Sequence, residues 1–193
     1  MDDIRELPQV IKNLRYRLFQ ESKDTSRWDR LAADQLGIAI YKVRQVIQGE
    51  EKPSSKELER IAEWCGRSVD DIGSAPTYPS DKDGMQKENL KFLLESLPHG
   101  GKKKAAKVLG VRPEQVSRWK TGKQPPNKGN VKDLLKYFSL GPDLDLGTVP
   151  LFLINYPIHA EAKKDWLIGR LQEMPPDKLE PHFTSIRKLI TPE

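Results

Sequence analysis

Scarcity narrows the field first. A single cysteine, Cys65, in 193 residues leaves no disulfide framework and no thiolate zinc site, so a reducing compartment is expected. Cys65 follows Trp64 on an apolar helix face and reads as inert. The three histidines, His99, His159 and His182, stand far apart without metal-ligand spacing, and neither metal nor cofactor is expected. The longest apolar stretch, Val149 to Ile154, falls far short of the roughly 20 residues of a membrane-spanning helix. The opening residues, Met1-Asp2-Asp3-Ile4-Arg5-Glu6, are too acidic and polar for a secretory signal, so a cytoplasmic location is expected. No G-x-S-x-G elbow, Walker loop, paired Cys-x-x-Cys or H-E-x-x-H occurs, and the reading is of a protein that is not an enzyme. Strand signals are equally thin: Thr148 to Ile154 is the one plausible strand.

What is present is polar and charged. The chain is 36% hydrophobic and 32% charged, with a mean hydropathy of -0.68. That balance suits several small domains, which have much surface for their cores. The net charge of +5 is unevenly placed. Residues 1–75 carry 13 Lys and Arg against 14 Asp and Glu. Residues 76–150 carry 14 against 8, and residues 151–193 carry 6 against 6. A cationic middle third is the footprint expected of a polyanion binder.

A repeat organises the sequence. Ala32-Ala33-Asp34-Gln35-Leu36-Gly37-Ile38 aligns with Ala105-Ala106-Lys107-Val108-Leu109-Gly110-Val111, 73 residues on. In the same register Val43 meets Val116, Val46 meets Trp119, Gly49 meets Gly122 and Pro53 meets Pro126. Leu58, Ile61 and Trp64 then meet Val131, Leu134 and Tyr137. An amphipathic helix precedes each copy, over Gln9 to Gln20 with Ile11, Leu14 and Leu18, and over Gln86 to Ser96 with Leu90, Leu93, Leu94 and Leu97.

These signals divide the chain into a first domain over 1–73, a linker over 74–84, a second domain over 85–148 and a helical tail over 149–193. Pro, Gly, Ser and Asp dominate the linker. Gly141, Pro142, Gly147 and Pro150 interrupt the chain after copy two. Ala162, Trp166, Leu167, Leu171 and Met174 mark one tail helix, and Phe183, Ile186 and Ile190 a second beyond Pro175-Pro176. Pro181 suits the first turn of that second helix better than its interior.

Within each copy the reading is helix, glycine, helix, glycine. Leu31 to Leu36 forms one helix, and Gly37 turns the chain in a left-handed conformation. Ala39 to Gln48 forms the next, Gly49 ends it and Pro53 blocks continuation. Ala33, Val43 and Val46 are placed to lock the two helices together, as are Ala106, Val116 and Trp119 in copy two.

The pattern Leu31-Ala32-Ala33-x-x-Leu36-Gly37-Ile38, a helix, then Gly49-x-x-x-Pro53 resembles the Cro/cI (xenobiotic response element) helix-turn-helix family. Copy two matches it again from Gly101 to about Asp143. The departures are Ile47 and Lys120, which stand where the family often has an acid. The resemblance implies an all-α fold: two tandem lambda-repressor-like helix-turn-helix domains followed by a C-terminal helical hairpin. It also implies double-stranded DNA as partner, with the second motif helix in the major groove. The base-contact candidates are then Ala39, Ile40, Tyr41, Lys42, Arg44 and Gln45 in copy one. In copy two they are Arg112, Pro113, Glu114, Gln115, Ser117 and Arg118. Arg can chelate guanine, Gln can pair with adenine, Glu can accept from cytosine, and Ile can pack on a thymine methyl.

Phosphate-contact candidates are Lys102, Lys103 and Lys104, which open the first motif helix of copy two, with Lys123 and Lys128 beyond the recognition helix. In copy one they are Arg27, Arg30, Gln48 and Lys52. The tryptophans read as packing residues, Trp119 above all.

The expected function is a transcriptional regulator, a repressor. Two modes stay open. The linker, extended to roughly 40 Å, spans half-sites about 34 Å apart. Alternatively the C-terminal helices, through Trp166, Leu171, Phe183 and Ile190, build a homodimer, or they pack on copy two. The rival reading is a protein-interaction adaptor in which one or both motifs bind a regulatory protein partner. RNA binding ranks last, for lack of a stacking sheet or GXXG clamp.

Overall fold

A computed structural model describes residues 4, 6–97, 99–155, 158 and 160–190. Side chains at 160–162, 165, 170, 173, 178, 189 and 190 lie outside that description. The fold is all-helical, with no strand among the described residues.

The first unit comprises α1 (Gln9–Glu21), a 3-10 turn (Thr25–Arg27), α2 (Trp28–Leu36), α3 (Ile40–Gln48), α4 (Ser55–Trp64) and α5 (Val69–Ile72). The second comprises α6 (Lys82–Glu95), α7 (Gly101–Val108), α8 (Pro113–Lys120) and α9 (Lys128–Tyr137). A 3-10 turn (Leu151–Leu153), α10 (Ala160–Glu173) and α11 (Pro176–Ile190) follow.

Local chemistry sets the boundaries. Ser54 and Glu57 form a reciprocal capping box at the start of α4. Asp81 caps α6 through the Gly84 N–H, and Asn127 caps α9 through the Asn130 N–H. Pro113 opens α8, where its missing N–H costs nothing. Burial of the capping carboxyl of Glu57 would raise its pKa, but the Ser54 N–H and hydroxyl bonds outweigh that and hold it below its ordinary value.

The repeat persists in the backbone. Gly37 and Gly110 sit at φ of 60° and 63°, and Gly49 and Gly122 at 80° and 68°. An L-residue would be strained there. The bonds closing the helices recur with the same register. Ile38 N–H donates to the Ala33 carbonyl (3.3 Å) and Val111 N–H to that of Ala106 (3.0 Å). Glu50 N–H donates to Gln45 (2.9 Å) and Lys123 N–H to Arg118 (3.0 Å). The gap-free register ends upstream. Asn13 on α1 and Asn89 on α6 play the same part 76 residues apart, both fully buried.

One continuous core holds both units. In the first, Ile11, Leu14 and Leu18 of α1 pack with Trp28, Ala32, Val43, Val46, Ile47 and Ile61. Ala32 takes the buried position expected of Ala33, which is only half-buried. In the second, Leu90, Leu93 and Leu94 of α6 pack with Ala105, Ala106, Val116, Trp119, Leu134 and Leu135. Each fully buried aliphatic or aromatic side chain contributes roughly 1.5–3 kcal/mol.

The supposed strand is a correction. Thr148 to Ile154 forms no ladder; its centre is the 3-10 turn, and Leu151, Phe152 and Leu153 are fully buried. Its polar backbone groups find side chains instead of a neighbouring strand. Asn89 Nδ2 donates to the carbonyls of Leu146 and Val149, both at 2.7 Å. The Arg15 guanidinium donates to Leu153 O at 3.1 Å and, through Nε, to Ile47 O at 2.8 Å. The segment, read with the tail, therefore packs between α1 and α6.

The 74–84 stretch is likewise held. Asn13 donates to the carbonyls of Ile72 (2.8 Å) and Ala75 (2.9 Å) and accepts from Thr77 N–H (2.9 Å). An extended 40 Å tether would break these bonds. Pro181 also departs from expectation. The helix starts earlier, at Pro176, so Pro181 lies inside α11 and removes one of its backbone bonds.

Candidate nucleic-acid interface

In the second unit, α7 ends at Leu109, Gly110 reverses the chain, and α8 begins at Pro113. Val116 and Trp119, 0% and 1% exposed, pin one face of α8 to the core. The opposite face is left to solvent. Arg112, Pro113, Glu114 and Arg118 are exposed, and Gln115 and Ser117 are half-buried. Gly110, Arg112, Glu114, Gln115, Arg118 and Gln124 line one shallow open depression. Arg112 and Arg118 form no salt bridge among the described residues. Bidentate donors, an amide and a carboxylate thus share one solvent-facing strip, the chemistry that reads base edges.

Cations surround that strip. Lys103 and Lys104 are exposed and Lys102 half-buried, at the first turn of α7. Lys123 and Lys128 are exposed beyond α8. Sequence reading missed Lys107, Lys132 and Lys136, all exposed, and Gln124 in the depression. The charge count signalled the lysines; nothing local signalled Gln124. Lys120, where an acid was the family expectation, pairs at 3.0 Å with Glu95 of α6.

The first unit has the same shape and different electrostatics. Ile40 and Tyr41 are 43% and 68% exposed at the start of α3. Ala39 is exposed and Gln45 half-buried. The two cations of α3 are engaged within the unit. Arg44 Nε meets Asp29 Oδ2 at 2.8 Å, and Lys42 pairs with Glu51. Arg27, Arg30 and Lys52 are exposed and Gln48 half-buried. Ile47 is 1% exposed, a core residue whose carbonyl serves Arg15. The twelve base-contact candidates therefore fall on two separate helix faces.

Elsewhere the chemistry is quiet. Burial pushes the half-buried Cys65 thiol up to about 11, against an opposing pull from Arg17. No cluster of three potential metal ligands occurs among the described residues. Among them, too, no helix is long and apolar enough to cross a membrane. His159 lies outside the described residues.

A helix-turn-helix family matches residues 100–144, the span from the start of α7 to just past α9. Neither a curated protein nor a solved structure matches the chain.

Proposed function

We propose that this chain is a sequence-specific DNA-binding transcriptional regulator, a repressor, that reads the major groove chiefly with α8. The observation that carries this reading is the free strip of Arg112, Glu114, Gln115 and Arg118 inside the segment that matches a helix-turn-helix family. Lys102, Lys103, Lys104, Lys123 and Lys128 would hold the phosphates on either side and set the register, while base edges supply specificity. The first unit is a second helix-turn-helix of the Cro/cI type, supported by its shared turn geometry. It reads through Ile40, Tyr41 and Gln45, with Arg27 and Arg30 on the backbone. The site of action is the cytoplasm.

The C-terminal helices are the homodimer contact. Their support is exposed apolar surface, with Leu167, Ile168 and Phe183 at 53%, 44% and 52%. Of the residues first assigned to that contact, Ile190 has no described side chain, and Trp166 and Leu171 are half-buried.

One observation favours a second reading. With Arg44 and Lys42 ion-paired inside the first unit and Tyr41 exposed beside Ile40, α3 also suits a regulatory protein partner.

Selection from a random duplex library at physiological salt tests the proposal. An enriched motif, lost on changing Arg112 or Arg118 to Ala, is the expected result. No enrichment, with binding still weak at low salt, would reject DNA reading and leave the adaptor.

A further inference from the structure

The segment 146–154 is a plug between the two units. Phe152 is fully buried, its ring 5.5 Å from that of Phe19, 5.3 Å from Tyr16 and 5.7 Å from Tyr78. Phe19 of α1 also meets Phe92 of α6 directly, edge to face at 5.8 Å. Polar bonds tie the plug to both sides. Asn89 of the second unit takes two of its carbonyls and accepts from Phe152 N–H at 3.4 Å. Arg15 of the first unit takes the carbonyl of Leu153. At the far end Asp145 accepts from Lys82 of α6 at 2.9 Å.

Rotating one unit against the other would uncover three phenylalanines and strand buried carbonyls. Unpaired buried polar groups are costly, which makes such an interface two-state rather than elastic.

We infer that the two units form one reading body of fixed geometry, so that the chain selects for the spacing between two contacted stretches of duplex. Arg15, Asn89 and Phe152 are the positioning residues that set this spacing. The inference rests on the DNA-binding reading above and adds a property which that reading does not require. It also gives the first unit a role despite the pairing of its α3 cations. A weak reader held at the right place binds as an intramolecular event and needs little affinity of its own.

The test uses the full chain and the half-sites recovered by selection, with the spacer varied in single base pairs over more than one helical turn. One optimum is expected, with a loss of roughly tenfold or more about 5 base pairs away, where the second contact faces the other side of the duplex. Phe152→Ala should flatten the profile while leaving binding to each isolated half-site unchanged. Phe152→Leu, which keeps the plug filled, should preserve it.

A DNA-free measurement accompanies this. Spin labels at Glu59→Cys on α4 and Asp133→Cys on α9, with Cys65→Ala, should give one narrow distance distribution. A flat spacing profile or a broad distribution would overturn the fixed geometry and leave DNA binding standing. Protection of a single half-site would do the same. Absence of any sequence-specific binding would overturn both readings together.

Discussion

Replacing Lys102, Lys103 and Lys104 together by Ala isolates the electrostatic part of the proposed interface. The three sit in the first turn of α7, two exposed and one half-buried, with no salt bridge among the described residues. Alanine favours helix, so α7 should survive the change. Each phosphate neutralised contributes about 0.9 to the slope of log affinity against log salt. If all three lysines reach phosphates, the slope falls by about 2.7, and if only the exposed pair does, by about 1.8. Between 50 and 200 mM salt, three such contacts account for roughly a 40-fold change in affinity. Fluorescence anisotropy on the selected site and on a scrambled duplex, at four or five salt concentrations, reads the slope. Both duplexes should lose affinity alike, because phosphates carry no sequence. An unchanged slope and affinity, with helicity retained, would refute the assignment and return the lysines to solvated surface. A loss confined to the selected site would also refute it, since that pattern belongs to base contacts.

Three further outcomes follow from the same geometry. Asn89→Ala removes three bonds to the buried plug and should cost about 3 kcal/mol in urea unfolding, and a loss under about 1 kcal/mol would refute their role in holding it. Asp29→Asn removes the charge that engages Arg44, so the salt slope should rise by up to about 1, and an unaltered slope would place Arg44 outside the DNA interface. Burial, then Glu88, pushes the Tyr16 hydroxyl up from 10.0 to about 12, so the folded state holds this proton more tightly; its stabilisation is complete below pH 10 and lost as pH rises toward 12. Tyr16→Phe in a Cys65→Ala background, which removes the parallel loss from the thiol, should abolish that alkaline decline in melting temperature.

Local signals in the sequence carried the motif itself. Gly37, Gly49, Gly110 and Gly122 could be read because a left-handed turn penalises every residue with a Cβ. Trp119 and Val116 could be read because helical spacing from a known turn puts them on one face. The plug could not. Val149 to Ile154 is a short apolar run, and periodicity alone does not tell a strand from a buried turn. What decides it is Asn89 and Arg15, 60 and 138 residues from their respective acceptors Val149 and Leu153. The site electrostatics were hidden for the same reason. Arg44 and Asp29 are 15 residues apart and Lys42 and Glu51 nine, so each meets its partner only after the turn has folded. A composition count saw the first unit as neutral without showing that the cations of α3 pair with Asp29 of α2 and with Glu51 beyond the helix.

That pairing makes the shared core more consequential for the proposed DNA reading. Two heads on a loose tether each lose freedom when the second one binds, and ordering the tether adds to the cost. With its α3 cations already paired, the proposed first-unit interface keeps only Arg27, Arg30 and Lys52 of its candidate cations to offset that loss. Plugged against α6 through Phe152 and Phe92, it loses almost none, because folding has already fixed its position. On the proposed reading, the plug turns a weak contact into a discriminating one. On that reading, a duplex with the right bases at the wrong spacing gains only the α8 contacts. Discrimination by spacing then comes from a second contact that the rigid body cannot make at the wrong distance. Loosening the plug should accordingly raise affinity for wrongly spaced sites rather than merely lower it for the right one. A variant that weakened both equally would mean that Phe152 holds the fold together without setting the distance between its two reading faces.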